Sequence, residues 1–216
     1  MTSVLGLVGA VPVVPVVVID DAADAVPLAR ALVAGGLPAV EVTLRTPAAL
    51  DAIRAVAAEV PDAVVGAGTV VSPGSVAAAV AAGARFLVSP GWTGTLVDAM
   101  AASGVPYLPG VSTASDVVAL LERGVPEMKF FPAEAAGGTA YLRSLAGPLP
   151  QARFCPTGGI SAASAPAYLA LPNVACVGGT WMLPADALAA RDWTRVESLA
   201  RAASALRAAP ALRAPA

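Results

Sequence analysis

VPVVPVVVIDDAADAVPLARALVAGGLPAVEVTL, residues 11–44, decides the fold. Two β-branched apolar runs, 11–19 and 39–44, flank the stretch DAADAVPLARALVAGG, which opens on aspartate, closes on glycine and repeats its apolar residues at helical spacing. The unit is a strand, a helix and a strand. Further apolar runs follow at 63–70 (AVVGAGTV), 86–91 (FLVSPG), 107–112 (YLPGVS), 128–133 (MKFFPA), 153–159 (RFCPTGG) and 174–181 (VACVGGTW), separated by alanine-rich stretches such as PAALDAIRAVAAEV. With Val14, Val42, Val65, Val88, Leu108, Lys129, Phe154 and Ala175 as strand centres, the spacings run from 20 to 28 residues, a structural period without a sequence repeat.

Eight such units, with the continuous apolar strands that parallel sheets require, predict an α/β fold of the (β/α)8 TIM-barrel type in one domain. A doubly wound open sheet is the main competitor; it usually needs five or six units, and no GxGxxG follows the first strand. The barrel is expected over 1–207, and the tail AAPALRAPA at 208–216 is expected to fray.

Composition narrows the function classes. The chain has 216 residues, 57% of them hydrophobic, so a large core is available, and a chain of this size buries roughly 70–75% of its unfolded surface. Charged residues are only 13%, which predicts a weakly charged surface with apolar faces buried between subunits. Net charge is −2 and the arginines are scattered, so nucleic acid is not an expected partner. The apolar stretch Val4 to Ile19 is shorter than a bilayer span, is broken by Gly6, Gly9, Pro12 and Pro15, and follows no basic residue. A cytoplasmic protein with no membrane contact is expected. Cys155 and Cys176 each lie in an apolar run and read as small buried hydrophobes, not as a disulfide or redox pair. Histidine is absent, which excludes a Ser/His/Asp triad, a histidine base and a histidine-rich zinc site.

The one lysine stands out against that background. Of the thirteen basic residues only Lys129 is not arginine, and it sits in the apolar run MKFFPA. Burial disfavours the ammonium form of a lysine, a response that arginine cannot make. A neutral amine attacks a carbonyl to form a Schiff base, chemistry specific to lysine among side chains. In EVTLRT, Glu41, Thr43 and Arg45 alternate with Val42 and Leu44 and would share one strand face, which at the barrel mouth would look toward Lys129. The competing reading is an ion pair of Glu41 with Lys129 or Arg45 that merely fixes the core; buried pairs are costly, so a lone pair rarely explains itself. Thr69 ends the third strand. The last two strands end in PTGGIS and VGGTW, where glycines let backbone N–H groups approach an anion and a following helix would add a favourable dipole. Phosphate sites in these barrels are frequently built there.

EVTLRT, VGAGT, SPG, PGVST, KFFPAE, RFCPTGGIS and GGTW together resemble, in order and spacing over about residues 11–205, the class I 2-keto-3-deoxy-6-phosphogluconate aldolases. The resemblance implies a (β/α)8 barrel, usually a homotrimer, that reversibly cleaves 2-dehydro-3-deoxy-6-phosphogluconate to pyruvate and glyceraldehyde 3-phosphate, with neither metal nor other cofactor. It places the Schiff-base lysine on Lys129, the acid/base glutamate on Glu41 and the pyruvate-carboxylate arginine on Arg45, helped by Thr69. It places the phosphate loops on Gly158 and Gly159 and on Gly178, Gly179 and Thr180, the last being a departure from the family's serine. Pro90, Pro109, Phe131 and Thr157 are expected to shape the pocket. The nearest alternatives are aldolases for the 6-phosphogalactonate epimer or for 4-hydroxy-2-oxoglutarate, and Arg45 leans toward the gluconate enzyme. A phosphosugar isomerase or epimerase would need no buried lysine. A non-catalytic phosphate-binding barrel would leave Lys129 and Glu41 unexplained.

Overall fold

The computed structural model describes residues 3–7 and 11–206; the boundary expected at 207 and the tail at 208–216 lie outside them. Among the described residues the strand segments are β1 (Val13–Val17), β2 (Ala39–Thr43), β3 (Val64–Gly68), β4 (Leu87–Val88), β5 (Tyr107–Leu108), β6 (Gly110–Val111), β7 (Glu127–Phe130), β8 (Arg153–Pro156) and β9 (Val177–Gly179). All named pairings are parallel, in the orders β5-β4-β3-β2-β1-β9 and β6-β7-β8.

The fifth barrel strand joins these two sheets. Read as one run from 107 to 112, it is split at Pro109, which has no N–H to give to a ladder. Its first half, β5, pairs with β4, and its second half, β6, pairs with β7. On the other side the ring is closed by parallel bridges, Phe154 to Val174 and Thr157 to Gly178. The expectation for the eighth strand needs correcting. It spans Val177–Gly179 and is centred on Gly178, not Ala175, because the N–H of Val174 turns back to the carbonyl of Leu171 while that of Ala175 meets Phe154. With these closures the fold is the (β/α)8 barrel expected.

Helices wrap the outside, and their apolar stripes explain why. In Ala25–Ala34, the buried Leu28 and Leu32 are four residues apart, and in Ala49–Glu59 the same role falls to Ala49, Ala52, Ile53 and Val56. Side chains mark several starts: Ser72 caps Pro73–Ala81, Thr93 caps Gly94–Ala102 and Thr113 caps Ala114–Glu122, each accepting a backbone N–H. No helix among the described residues is long and apolar enough to cross a membrane.

Two apolar layers result, one between the strands and the helices and a smaller one inside the barrel. Phe86 fills much of the inner one, and Gly66 on the neighbouring strand makes room: a Cβ there would lie 2.4 Å from the Phe86 ring. The short helix Val4–Leu7 closes the lower end. Val4 is buried in the inner cluster, and the Glu127 carboxylate accepts the hydroxyl of Ser3 and, at 3.2 Å, the N–H of Leu5. The open end is therefore the C-terminal one, where the strands present their polar residues.

Candidate active site

Lys129 and Glu41, 88 residues apart in sequence, meet inside the barrel. The Lys129 ammonium donates to Glu41 Oε1 at 3.2 Å, and the two side chains are 7% and 4% exposed. Strand register brings them together. Lys129 is central in β7, opposite Gly110 of β6 and Cys155 of β8, while Glu41 is central in β2, opposite Val16 of β1 and Gly66 of β3. The Phe131 ring covers the amine, with its centroid 5.2 Å from Nζ.

Glu41 owes its position to a missing side chain. A Cβ on Gly68, at the end of β3, would lie 2.2 Å from Glu41 Oε1 and 2.7 Å from its Cγ. The VGAGT motif thus leaves a slot that the carboxylate fills. Thr69 follows directly, half-buried and at φ +57°, a region that β-branched residues rarely adopt and that costs about 1–3 kcal/mol. Strain of that size at a residue beside the Glu41 slot fits a side chain held for function.

The alternation expected through Arg45 stops earlier. β2 ends at Thr43, whose buried hydroxyl donates to the carbonyl of Val17 at 3.0 Å. Arg45 lies two residues further, exposed in the turn, with its own N–H bonded to Thr43 O at 2.8 Å. Strand geometry therefore aligns Glu41 with Thr43, and Arg45 stands at the rim. Among the described residues no carboxylate pairs with its guanidinium, which leaves its fork available.

Thr157, buried, extends β8 by one residue, and its hydroxyl lies 3.4 Å from the carbonyl of Cys155. It lines the same inner cavity as Lys129, Glu41, Cys155 and Cys176. Both cysteines are free and buried, as small hydrophobes would be. The hydrogen bond with Cys155 and then burial push the Cys176 thiol well up, so it remains neutral. Pro109 is buried and its carbonyl accepts the Lys129 N–H at 3.0 Å, while half-buried Pro90 packs its backbone against Gly110.

The glycine-rich ends differ from one another. Gly158 and Gly159 have φ of +107° and +80°, and among the described residues neither donates its N–H to a protein acceptor. Two adjacent free N–H groups in left-handed backbone are a geometry that can receive an anion. Gly178 and Gly179, by contrast, lie buried within β9, where a Cβ would fall 2.2 Å from Thr157 Oγ1 and 1.9 Å from the Trp181 ring. Packing accounts for both without an anion. Thr180 follows, exposed. The helix dipole expected behind each loop is a correction: the next helices, Ala165–Leu169 and Ala185–Ala189, are five residues long and start several residues later. Gly68 is a contributor that the sequence analysis does not single out; a glycine on the strand beside Glu41 is the signal for it.

The family model for KDPG and KHG aldolase matches residues 6–199. The KHG/KDPG aldolase of Escherichia coli K12 is 52% identical over 202 residues, 94% of this chain and 95% of that protein. The KDPG aldolase of Legionella pneumophila, solved with pyruvate captured as a covalent carbinolamine, superposes with a TM-score of 0.90 at 47% identity, covering 93% of this chain and 98% of that one. The 2-keto-3-deoxy-6-phosphogluconate aldolase of Zymomonas mobilis ZM4, solved with 3-phosphoglycerate, gives 0.92 at 48% identity and covers 98% and 100%.

Proposed function

The chain belongs to the family of KDPG and KHG aldolases, and from that premise we propose that it reversibly cleaves 2-dehydro-3-deoxy-6-phosphogluconate to pyruvate and D-glyceraldehyde 3-phosphate through an imine on Lys129. The observation that carries the reading is the buried Lys129–Glu41 pair at 3.2 Å. An amine that gives its proton to the adjacent carboxylate attacks the C2 carbonyl, and loss of water leaves an iminium. That iminium takes up the electron pair of the C3–C4 bond as the bond breaks, while the C4 hydroxyl proton leaves and the aldehyde forms. Glu41 is within hydrogen-bond reach to move the protons of carbinolamine, C4 hydroxyl and enamine carbon. The related Legionella enzyme's covalent carbinolamine with pyruvate supports this chemistry.

Arg45 would grip the keto-acid carboxylate from the rim, with Thr69 beside it, and Phe131, Pro90 and Thr157 would bound the pocket. The free N–H groups of Gly158 and Gly159 with the Thr180 hydroxyl would take the phosphate, and Gly178 and Gly179 would support it through packing; the 3-phosphoglycerate of the Zymomonas structure supports a phosphorylated ligand for this family. The reading includes a cytoplasmic location and a homotrimer; the low charged fraction of 13% and the exposed Val71 and Val118 support apolar contact between subunits. The double name of the Escherichia coli relative favours a second substrate, 4-hydroxy-2-oxoglutarate. Borohydride added with pyruvate should inactivate the protein and add mass to the peptide bearing Lys129; no trapping, with activity lost to a chelator, would refute the imine. Pyruvate release from the two epimeric phosphates and from 4-hydroxy-2-oxoglutarate then ranks the substrates.

A further inference from the structure

Behind the Gly158–Gly159 turn stands a group that the catalytic scheme leaves unused. Glu134 ends the KFFPAE motif, and its Oε1 accepts the hydroxyl of the fully buried Tyr168 at 2.9 Å. Its aliphatic stem lies against the turn: a Cβ on Gly159 would be 2.7 Å from Glu134 Cγ and 2.8 Å from its Cβ. Two backbone bonds stitch the same segments together, Ala133 N–H to Thr157 O at 2.8 Å and Glu134 N–H to Gly158 O at 3.1 Å. On the far side, Gly138 leaves space for the pair, since its Cβ would meet Tyr168 Oη at 3.2 Å and Glu134 Oε2 at 3.7 Å. Gly159 against its stem, Gly138 beside its carboxylate and the buried phenol of Tyr168 thus enclose one side chain, while Gly158 is tied to the same residue through its backbone.

We infer that Glu134, tied back by Tyr168, is a positioning residue that holds the Gly158–Gly159 turn in the shape that receives the substrate's phosphate; this rests on the function proposed above. Backbone in the left-handed region has no preferred shape of its own at glycine, so the turn needs an external brace. Glu134 supplies it by filling the space beneath Gly159 and by bonding Gly158 through its own N–H. A loose carboxylate beside an anion site would repel the phosphate. The Tyr168 hydroxyl fixes where that charge sits, and burial followed by the Glu134 bond push its pKa up, so the phenol stays protonated and donates.

The test compares KM and kcat for 2-dehydro-3-deoxy-6-phosphogluconate and for its unphosphorylated counterpart in the wild type, Tyr168→Phe, Glu134→Ala and Glu134→Gln. Loss of one hydrogen bond corresponds to about threefold to tenfold. Tyr168→Phe and Glu134→Ala should raise KM for the phosphorylated substrate by that factor and leave its kcat and the unphosphorylated KM within about twofold. Glu134→Gln keeps an acceptor for the phenol and should restore KM. Equal losses on both substrates, an unchanged KM in Tyr168→Phe, or no restoration by Gln would overturn the inference. Should Glu134→Ala fail to fold, Tyr168→Phe, which removes a single oxygen, carries the test. A wild type indifferent to the phosphate would overturn the phosphate site and this inference with it. A wild type that prefers the phosphate, with variants that keep the preference, would overturn this inference alone.

Discussion

An ammonium and a carboxylate 3.2 Å apart inside a barrel lose their hydration, and apolar replacements of such pairs are often as stable. Stability therefore does not account for Lys129 and Glu41, whereas the proposed imine chemistry would. Lys129→Arg retains the charge but has no nucleophilic amine, and should abolish turnover and borohydride trapping together. Glu41→Gln keeps the shape and removes the proton acceptor; it should lower kcat by about 10²-fold or more, measured in steady state with the fold checked by circular dichroism. Gly68→Ala probes the slot itself. Its methyl would need the space that Glu41 Oε1 occupies at 2.2 Å, so kcat should fall in the same direction as in Glu41→Gln while the keto-acid binding proposed for Arg45 persists. Near-normal kcat in both variants would return Glu41 to a purely structural part. The sequence pointed to Lys129 by its uniqueness and to Glu41 by its place in an apolar strand, but the clearance that Gly68 provides is a cross-strand fact that no local pattern carries.

At the scale of elements, the strand ends divide the work. β8 runs out into a turn with free N–H groups, whereas β9 ends in glycines that accommodate Thr157 and Trp181. Thr180→Val separates phosphate binding from packing at this point. A hydroxyl bonded to a charged oxygen is worth about 1.5–3 kcal/mol, so kcat/KM for the phosphorylated substrate should drop about 10 to 150-fold. Detritiation of pyruvate, which has no phosphate, serves as the control; equal losses in both reactions would dismiss the assignment. Two element-level readings from sequence changed for physical reasons. The fifth strand is cut at Pro109 because proline lacks the ladder donor, and the eighth begins at Val177 because the chain before it turns back on Leu171.

For the whole molecule, the N-terminal segment covers the lower end of the barrel. Glu127→Ala would remove the acceptor for Leu5 N–H and the Ser3 hydroxyl. One such bond is worth about 0.5–1.5 kcal/mol, and in a chain of this size about 1 kcal/mol lowers Tm by about 2–4 °C. Calorimetry should therefore show a modest fall in Tm with kcat retained, since Glu127 lies at the end of the barrel away from the proposed site. A large loss of kcat would mean that the lower cap and the site are coupled. By itself the sequence determined the alternation of strand and helix, the number of units and the residue types capable of imine chemistry, because periodicity and uniqueness are local properties. Only the tertiary structure decided which polar residues meet, since strand register sets Lys129 against Glu41 across 88 residues, and steric clearance between neighbouring strands fixes what each glycine is for.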